Sequence, residues 1–160
     1  MSKVKKIVVL GSIGSGKSSL LKKLIGHPFL RDEAPTMGLR VYSLPVNDPA
    51  IDKLVFWELT SAGKLDSQPI DYLKGAHAAI YIFDLSRPST YVDLMDESRM
   101  LAEMLPDIKP LFIANKADLV GTVQTTKLLD QFDKLQPIPY SAKNDESVEV
   151  LLNHILSTVK

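Results

Sequence analysis

The sequence predicts an α/β fold with a six-stranded, mostly parallel sheet and helices on both faces. Three observations lead there. Six short runs rich in β-branched or aromatic residues alternate with amphipathic helical stretches. Four of these runs are almost continuously apolar, as strands covered on both faces should be. A glycine-rich turn, GSIGSGKS, separates the first run from the first helix.

The first strand, Val4–Leu10, is one of the continuous runs, and the turn after it opens a helix over Lys17–Ile25. Leu39–Val46 and Leu54–Leu59 have only Asn47–Lys53 between them, which makes them a hairpin. Ala79–Leu85 is the fourth strand. In the next helix, Thr90–Leu105, Leu94, Leu101 and Leu105 recur with Met100 and Met104 at helical spacing, a stripe that belongs in the core. Pro110–Ala114 and Ile138–Ser141 are the last two strands, joined through a helix over Val123–Leu135. The closing helix, Ser147–Val159, carries Val148, Leu151, Leu152, Ile155 and Val159 on one face. No repeat, low-complexity stretch or linker divides the chain, so one domain over residues 1–160 is expected.

Composition narrows the function. At 160 residues and 45% hydrophobic content the chain can bury one sizeable core. Lys and Arg number 19 and Asp and Glu number 19, so no global field draws it to nucleic acid or to an anionic membrane. There is no cysteine, which excludes disulfides, thiolate metal sites and cysteine-linked lipids. MSKVKKIVVL has too short an apolar run for a signal peptide, and its Met-Ser start lacks the glycine that myristoylation needs. No apolar stretch approaches membrane-spanning length. A cytoplasmic protein without a direct lipid anchor is expected.

Gly11-Ser12-Ile13-Gly14-Ser15-Gly16-Lys17-Ser18 satisfies G-x-x-x-x-G-K-[ST] and stands between a buried strand and a helix, where a phosphate loop works. Its N–H groups and the helix N-terminus can point at an anion, Lys17 can reach the β/γ-phosphates, and the Ser18 hydroxyl can ligate Mg²⁺. The competing reading is a glycine-rich strand–helix turn with an exposed lysine, and the complete motif in this context favours the phosphate loop. Asn115-Lys116-Ala117-Asp118 follows the fifth strand at the edge where open α/β sheets bind ligands. A carboxylate there can accept both the N1–H and the N2 amino hydrogens of guanine, whereas adenine offers no such donor pair. Ser141-Ala142-Lys143 closes the next strand, where a backbone N–H can donate to guanine O6. An ordinary strand-end turn would suit either segment alone but not both beside a phosphate loop.

From about Val4 to Val159 the chain resembles a Ras-superfamily small GTPase. GSIGSGKS is similar to the first motif of that family, APTMGL to the second, TSAGK to a variant of the third, usually DTAGQ, NKAD to the fourth and SAK to the fifth. The 19-residue step from Lys17 to Thr36 matches Ras. PTMGLRV and YLKGAHAAIYIFDLS resemble the Rab-type PTIGVDF and YYRGAHGAILVYDIT. The resemblance implies a P-loop NTPase G domain that binds GTP or GDP with Mg²⁺ and meets effectors, an exchange factor and a GTPase-activating protein. By the same resemblance, Gly14, Ser15, Gly16, Lys17, Ser18 and Ser19 line the phosphates, and Phe29 packs on guanine. Asn115 holds the N7 side and the loop, Lys116 lies along the ribose, and Asp118 reads the base. Ala142, within Ser141–Lys143, contacts O6, and Ser18 and Thr36 hold Mg²⁺. Lys17, Thr36, Gly63 and Lys64 surround the transferred phosphoryl group.

Three departures from the family pattern bear on hydrolysis. Lys64 follows Gly63 where the family has glutamine, and an ammonium cannot both accept from water and donate to phosphate as an amide can. Ile13 brings a branched side chain to a position often glycine or serine, where it crowds an incoming arginine. At the acid of DTAG, aligning SAG with TAG leaves Thr60, as in the MglA-type bacterial GTPases. The competing alignment uses Trp57-Glu58, and the 22-residue step from Thr36 to Glu58 equals the Ras spacing. We favour Thr60 here, because the alternative leaves no glycine at the γ-phosphate contact, although both residues project from one face of the strand. The reading is a molecular switch with slow GTP hydrolysis. Its rival is a scaffold that holds GTP and scarcely hydrolyses it, while an ATP-using P-loop kinase is disfavoured by Asp118. The Rab-type C-terminal tail and lipidated cysteine do not occur in this sequence, so either a partner places the protein on a membrane or filament or the tail lies outside these 160 residues. His27, His77 and His154 are scattered, Lys3, Lys5 and Lys6 read as solvated, and Trp57 reads as a packed strand residue.

Overall fold

A computed structural model describes residues 3–26, 38–60, 70–144 and 146–160. Six strands form one sheet in the order β2-β3-β1-β4-β5-β6. They are β1 (Val4–Leu10), β2 (Gly38–Pro45), β3 (Lys53–Thr60), β4 (Ala78–Asp84), β5 (Lys109–Asn115) and β6 (Ile138–Pro139). The helices are α1 (Lys17–Leu24), α2 (Ser89–Met104), α3 (Thr122–Asp130) and α4 (Glu146–Val159). Only β2 runs against its neighbour, pairing with β3 from Gly38↔Thr60 to Pro45↔Lys53 as the short connection required. The other pairs are parallel.

Strand alternation sorts the side chains into two layers. On one face Ile7, Val9, Ile80 and Ile82 pack with Leu20 and Leu21 of α1 and Leu151 and Ile155 of α4. On the other, Val8, Leu10, Tyr81 and Phe83 pack with Leu94 and Leu101 of α2, and Leu128 and Leu129 of α3 lean on the same layer. This double cover explains why all seven residues of β4 are buried and why its sequence reads as one apolar run.

Two elements differ from the sequence expectation by more than a residue at an end. The sixth strand was expected over Ile138–Ser141 but pairs regularly only over Ile138–Pro139. Pro139 has no N–H to give the ladder; Tyr140 N still donates to Ala114 O at 2.8 Å, and the Asn144 N–H bonds to Ser141 O at 3.0 Å, so the chain turns away from Ser141. The third helix ends at Asp130, not Leu135, and a separate 3₁₀ turn at Asp133–Leu135 precedes Gln136, whose φ of 45° is left-handed. Pro137 then prevents any continuation.

The consequence for function is positional. The parallel strands β1, β3, β4 and β5 deliver Gly11, Glu58, Asp84 and Asn115 to their C-terminal ends. From β1 the chain leaves to one side through β3 and to the other through β4. That reversal of strand order opens a crevice at the sheet edge.

Candidate functional site

Gly16 caps α1 with φ 99°, a conformation costly for any residue with a Cβ, and a Cβ there would collide with the Asn115 amide. Gly14 also has a left-handed φ, 75°, and its would-be Cβ lies 3.1 Å from the Arg87 guanidinium. The loop is therefore enclosed by side chains from the β4–α2 turn and β5 rather than free in solvent.

Those side chains hold its carbonyls. Asn115 Nδ2 donates to Ser15 O at 2.8 Å, Lys116 Nζ to Gly14 O at 2.8 Å, and Arg87 Nη2 to Ile13 O at 3.2 Å. Lys17 Nζ donates to Gly11 O at 2.7 Å and Ser12 O at 3.2 Å. In a trans peptide the carbonyl and the following N–H point in opposite directions. Anchoring Ile13 O and Ser15 O thus turns the N–H groups of Gly14 and Gly16 the other way, into one concavity suited to an anion. Lys17 is buried, and burial pushes its ammonium pKa down while Glu58 and Glu97 pull it up. An anion such as phosphate would satisfy this cation more fully than two neutral carbonyls do.

A hydroxyl and a carboxylate meet beside the loop. Ser18 Oγ donates to Glu58 Oε1 at 2.5 Å, and Tyr42 OH donates to Glu58 Oε2 at 3.0 Å. Glu58 is almost fully buried. Ser18 and Glu58 are hard oxygen donors, the type that Mg²⁺ takes alongside phosphate and water.

Asp84 lies beneath the loop, fully buried. Its Oδ2 receives Lys116 Nζ at 2.8 Å and Arg87 Nε at 2.9 Å, while Oδ1 receives the Ser86 hydroxyl at 2.6 Å. Burial alone would raise the pKa of this carboxyl. The bonds from Lys116, Ser86 and Arg87 outweigh it and hold the group below the ordinary carboxylate value. Thr90 fixes the turn by accepting from Asp84 N at 2.9 Å and donating to Arg87 O at 2.8 Å.

At the far end, Lys116 has a left-handed φ of 59°, which opens the 3₁₀ turn Ala117–Leu119 and presents Asp118. Ser141 Oγ donates to Asp118 Oδ1 at 2.7 Å, and Lys143 Nζ pairs with Oδ2 at 3.2 Å. Burial again opposes ionisation, but these partners keep the Asp118 pKa below the usual range. An open cavity of about 400 Å³ flanks the cluster, walled in part by Asp118, Ser141 and Lys143 but not by Asn115, Lys116 or Ala142.

The chain matches the Ras family over residues 6–160. The chain belongs to the Ras family. It is similar to the rat Ras-related protein Rab-4B, 32% identical over 152 residues that cover 90% of this chain and 70% of the relative. The mouse Rab-like protein 2A is 30% identical, with 92% of this chain and 67% of the relative covered. The mouse Ras-related protein Rab-7b is 27% identical, with 94% and 82% covered.

For a Ras family protein, guanine-nucleotide and Mg²⁺ binding is implied. Of the residues expected to serve it, Gly14–Ser19 and Asn115, Lys116, Asp118 and Ser141–Lys143 all lie at the C-terminal edge of the sheet. Phe29, Thr36, Gly63 and Lys64 lie outside the described residues, as does His27. Thr60 ends β3, but its side chain is likewise outside them, and the carboxylate that reaches Ser18 is Glu58. The Ser18 contact gives the alignment through Trp57-Glu58 geometric support, while the preferred alignment through Thr60 rests on a side chain outside the described residues. Lys6 is not simply solvated: its ammonium sits 3.9 Å from the Trp57 ring centroid and donates to Lys74 O. His77 accepts from Lys6 N through Nδ1, a structural role. Sequence reasoning missed Asp84, Arg87 and Tyr42. The aspartate shared by IYIFDLS and the Rab-type ILVYDIT was the available signal for Asp84.

The lowered Asp84 pKa fixes a sign. Its stabilising contribution is present above the unfolded value, near 3.8, and is lost as pH falls through the lower folded value. Asp84→Asn should therefore cost about 2 kcal/mol at neutral pH, with the difference from wild type shrinking as acid protonates wild-type Asp84. Urea midpoints measured from neutral pH to about pH 2.5 check this. A pH-independent difference would contradict the ion-pair assignment.

Proposed function

We propose that this chain, read as a single G domain over residues 1–160, is a guanine-nucleotide switch that binds GTP or GDP with Mg²⁺ and hydrolyses GTP slowly. The observation that carries the reading is the joint placement of Asp118 and the phosphate loop, bridged by Asn115 and Lys116. Asp118 accepts the two guanine donors, which requires the Lys143 ammonium to swing off one oxygen; Lys143 is 39% exposed and free to rotate outward. The N–H groups of Gly14 and Gly16 and the Lys17 ammonium bind the outer phosphates. Ser18 ligates Mg²⁺ and Glu58 accepts from its hydration shell, a role that deepens the Trp57-Glu58 alignment. When bound, Mg²⁺ neutralises charge developing on the transferred phosphoryl oxygens.

The slow rate rests on Ile13 and Lys64. The Ile13 side chain is 46% exposed, consistent with a bulky group at the mouth of the loop where an activator's arginine would enter. The same observation favours the second reading, a GTP-holding scaffold with hardly any turnover. Effectors of the GTP state, an exchange factor and an activating protein are the partners that fit either reading. Recruitment to a membrane or filament by a partner is the localisation that fits this reading; among the described residues no helix is long and apolar enough to cross a membrane.

Base reading is tested by Asp118→Asn. Guanine affinity should fall by several kcal/mol and xanthosine diphosphate binding should improve, because xanthine O2 needs a donor opposite it. Titration with fluorescent GDP, ADP and xanthosine diphosphate measures this, and tight ADP binding by the wild type would exclude the assignment.

The metal assignment has its own check. In Glu58→Gln, the slowing of GDP release by Mg²⁺ relative to EDTA should shrink about tenfold, while Thr60→Val should leave it near wild type. The reverse pattern would return the acid position to Thr60.

A further inference from the structure

Arg87 belongs to no motif that the sequence resembles, yet it touches the phosphate loop from the β4–α2 turn. Its Nε holds Asp84 Oδ2 at 2.9 Å and its Nη2 holds Ile13 O at 3.2 Å. The arginine therefore spans a buried carboxylate and a loop carbonyl with two nitrogens of one rigid plane. The same Asp84 oxygen holds Lys116, which anchors the adjacent carbonyl, Gly14 O. Thr90 bonds the Arg87 carbonyl, so the backbone that bears the guanidinium is fixed as well.

We propose that Arg87 is a positioning residue of the phosphate loop: by gripping Ile13 O it sets the Ile13–Gly14 peptide so that the Gly14 N–H faces the outer phosphates of the bound nucleotide. The proposal rests on the guanine-nucleotide reading above. It differs from a role as a cation attracting phosphate at long range, because it depends on two simultaneous bonds. Lysine has the charge but a single nitrogen, so it cannot reproduce the fork. Gly14 adds to the argument, since its would-be Cβ lies 3.1 Å from the Arg87 Nη2, leaving little room for any other residue against the guanidinium.

The test compares GDP with GMP, which lacks the β-phosphate, in wild type, Arg87→Ala, Arg87→Gln and Arg87→Lys, with circular dichroism to confirm the fold. Arg87 is half-exposed on its side chain, so the variants are expected to fold. Mispositioning of the loop should lower the preference for GDP over GMP by about tenfold in all three variants, corresponding to one charge-assisted hydrogen bond. Restoration by lysine would overturn the proposal in favour of simple charge attraction. Equal weakening of GDP and GMP would overturn it in favour of a general structural role, as would an unchanged preference. Failure of the wild type to bind GDP would overturn the nucleotide reading itself and this proposal with it, whereas tight wild-type binding with unaffected variants would overturn the Arg87 role alone.

Discussion

The peptide carbonyls of Gly11 to Ser15 are all held by side chains, and the shape of the site depends on that. A phosphate loop needs N–H groups that converge, and convergent N–H groups need carbonyls directed elsewhere. Lys17 takes the first two carbonyls, Arg87 the third, Lys116 the fourth and Asn115 the fifth. The last three anchors lie 74, 102 and 100 residues along the chain from the carbonyls they hold. The loop is thus a local sequence motif with a non-local geometry, complete only when β4 and β5 have docked beside β1.

Asp84 is what permits three cationic groups, Lys17, Arg87 and Lys116, to crowd one short loop. Its buried carboxylate offsets two of them directly. Glu58 offsets the third at longer range, through its attraction for Lys17. The phosphates of a nucleotide would add negative charge opposite the same cations. Phosphate end and base end are tied together, because Lys116 grips Gly14 O and Asp84 while its left-handed backbone presents Asp118. A disturbance at either end is therefore expected to be felt at the other.

Most of the fold could be read from the sequence because the doubly covered strands leave nearly unbroken apolar runs, and the hairpin announces itself by its short connection. Ile138–Ser141 misled because a proline and a turn look like a strand end only when the ladder itself is seen. At the site, glycine and lysine spacing identified the loop, but spacing does not report which carbonyl a distant side chain will hold. Arg87 was invisible for that reason, and Asp84 had only the aspartate it shares with the Rab-type ILVYDIT to mark it. Glu58 was weighed against Thr60 by motif alignment, which counts residues from the glycine; the contacts of Glu58 with Ser18 and Tyr42 could not be counted that way. Counted from Glu58, Gly63 comes five residues later in the sequence, against three from acid to glycine in DTAG.

The central claim is that one preorganised cradle, closed by Asp118 at its base end, selects a guanine nucleotide. The most direct measurement is to purify the protein without added nucleotide, denature it, identify what is released, and reload the native protein with GDP and ADP in parallel with Mg²⁺ present. The account predicts GDP or GTP in the released fraction and retention of GDP but not ADP on reloading. Release of adenine nucleotide, or failure of the native protein to retain GDP, would contradict it.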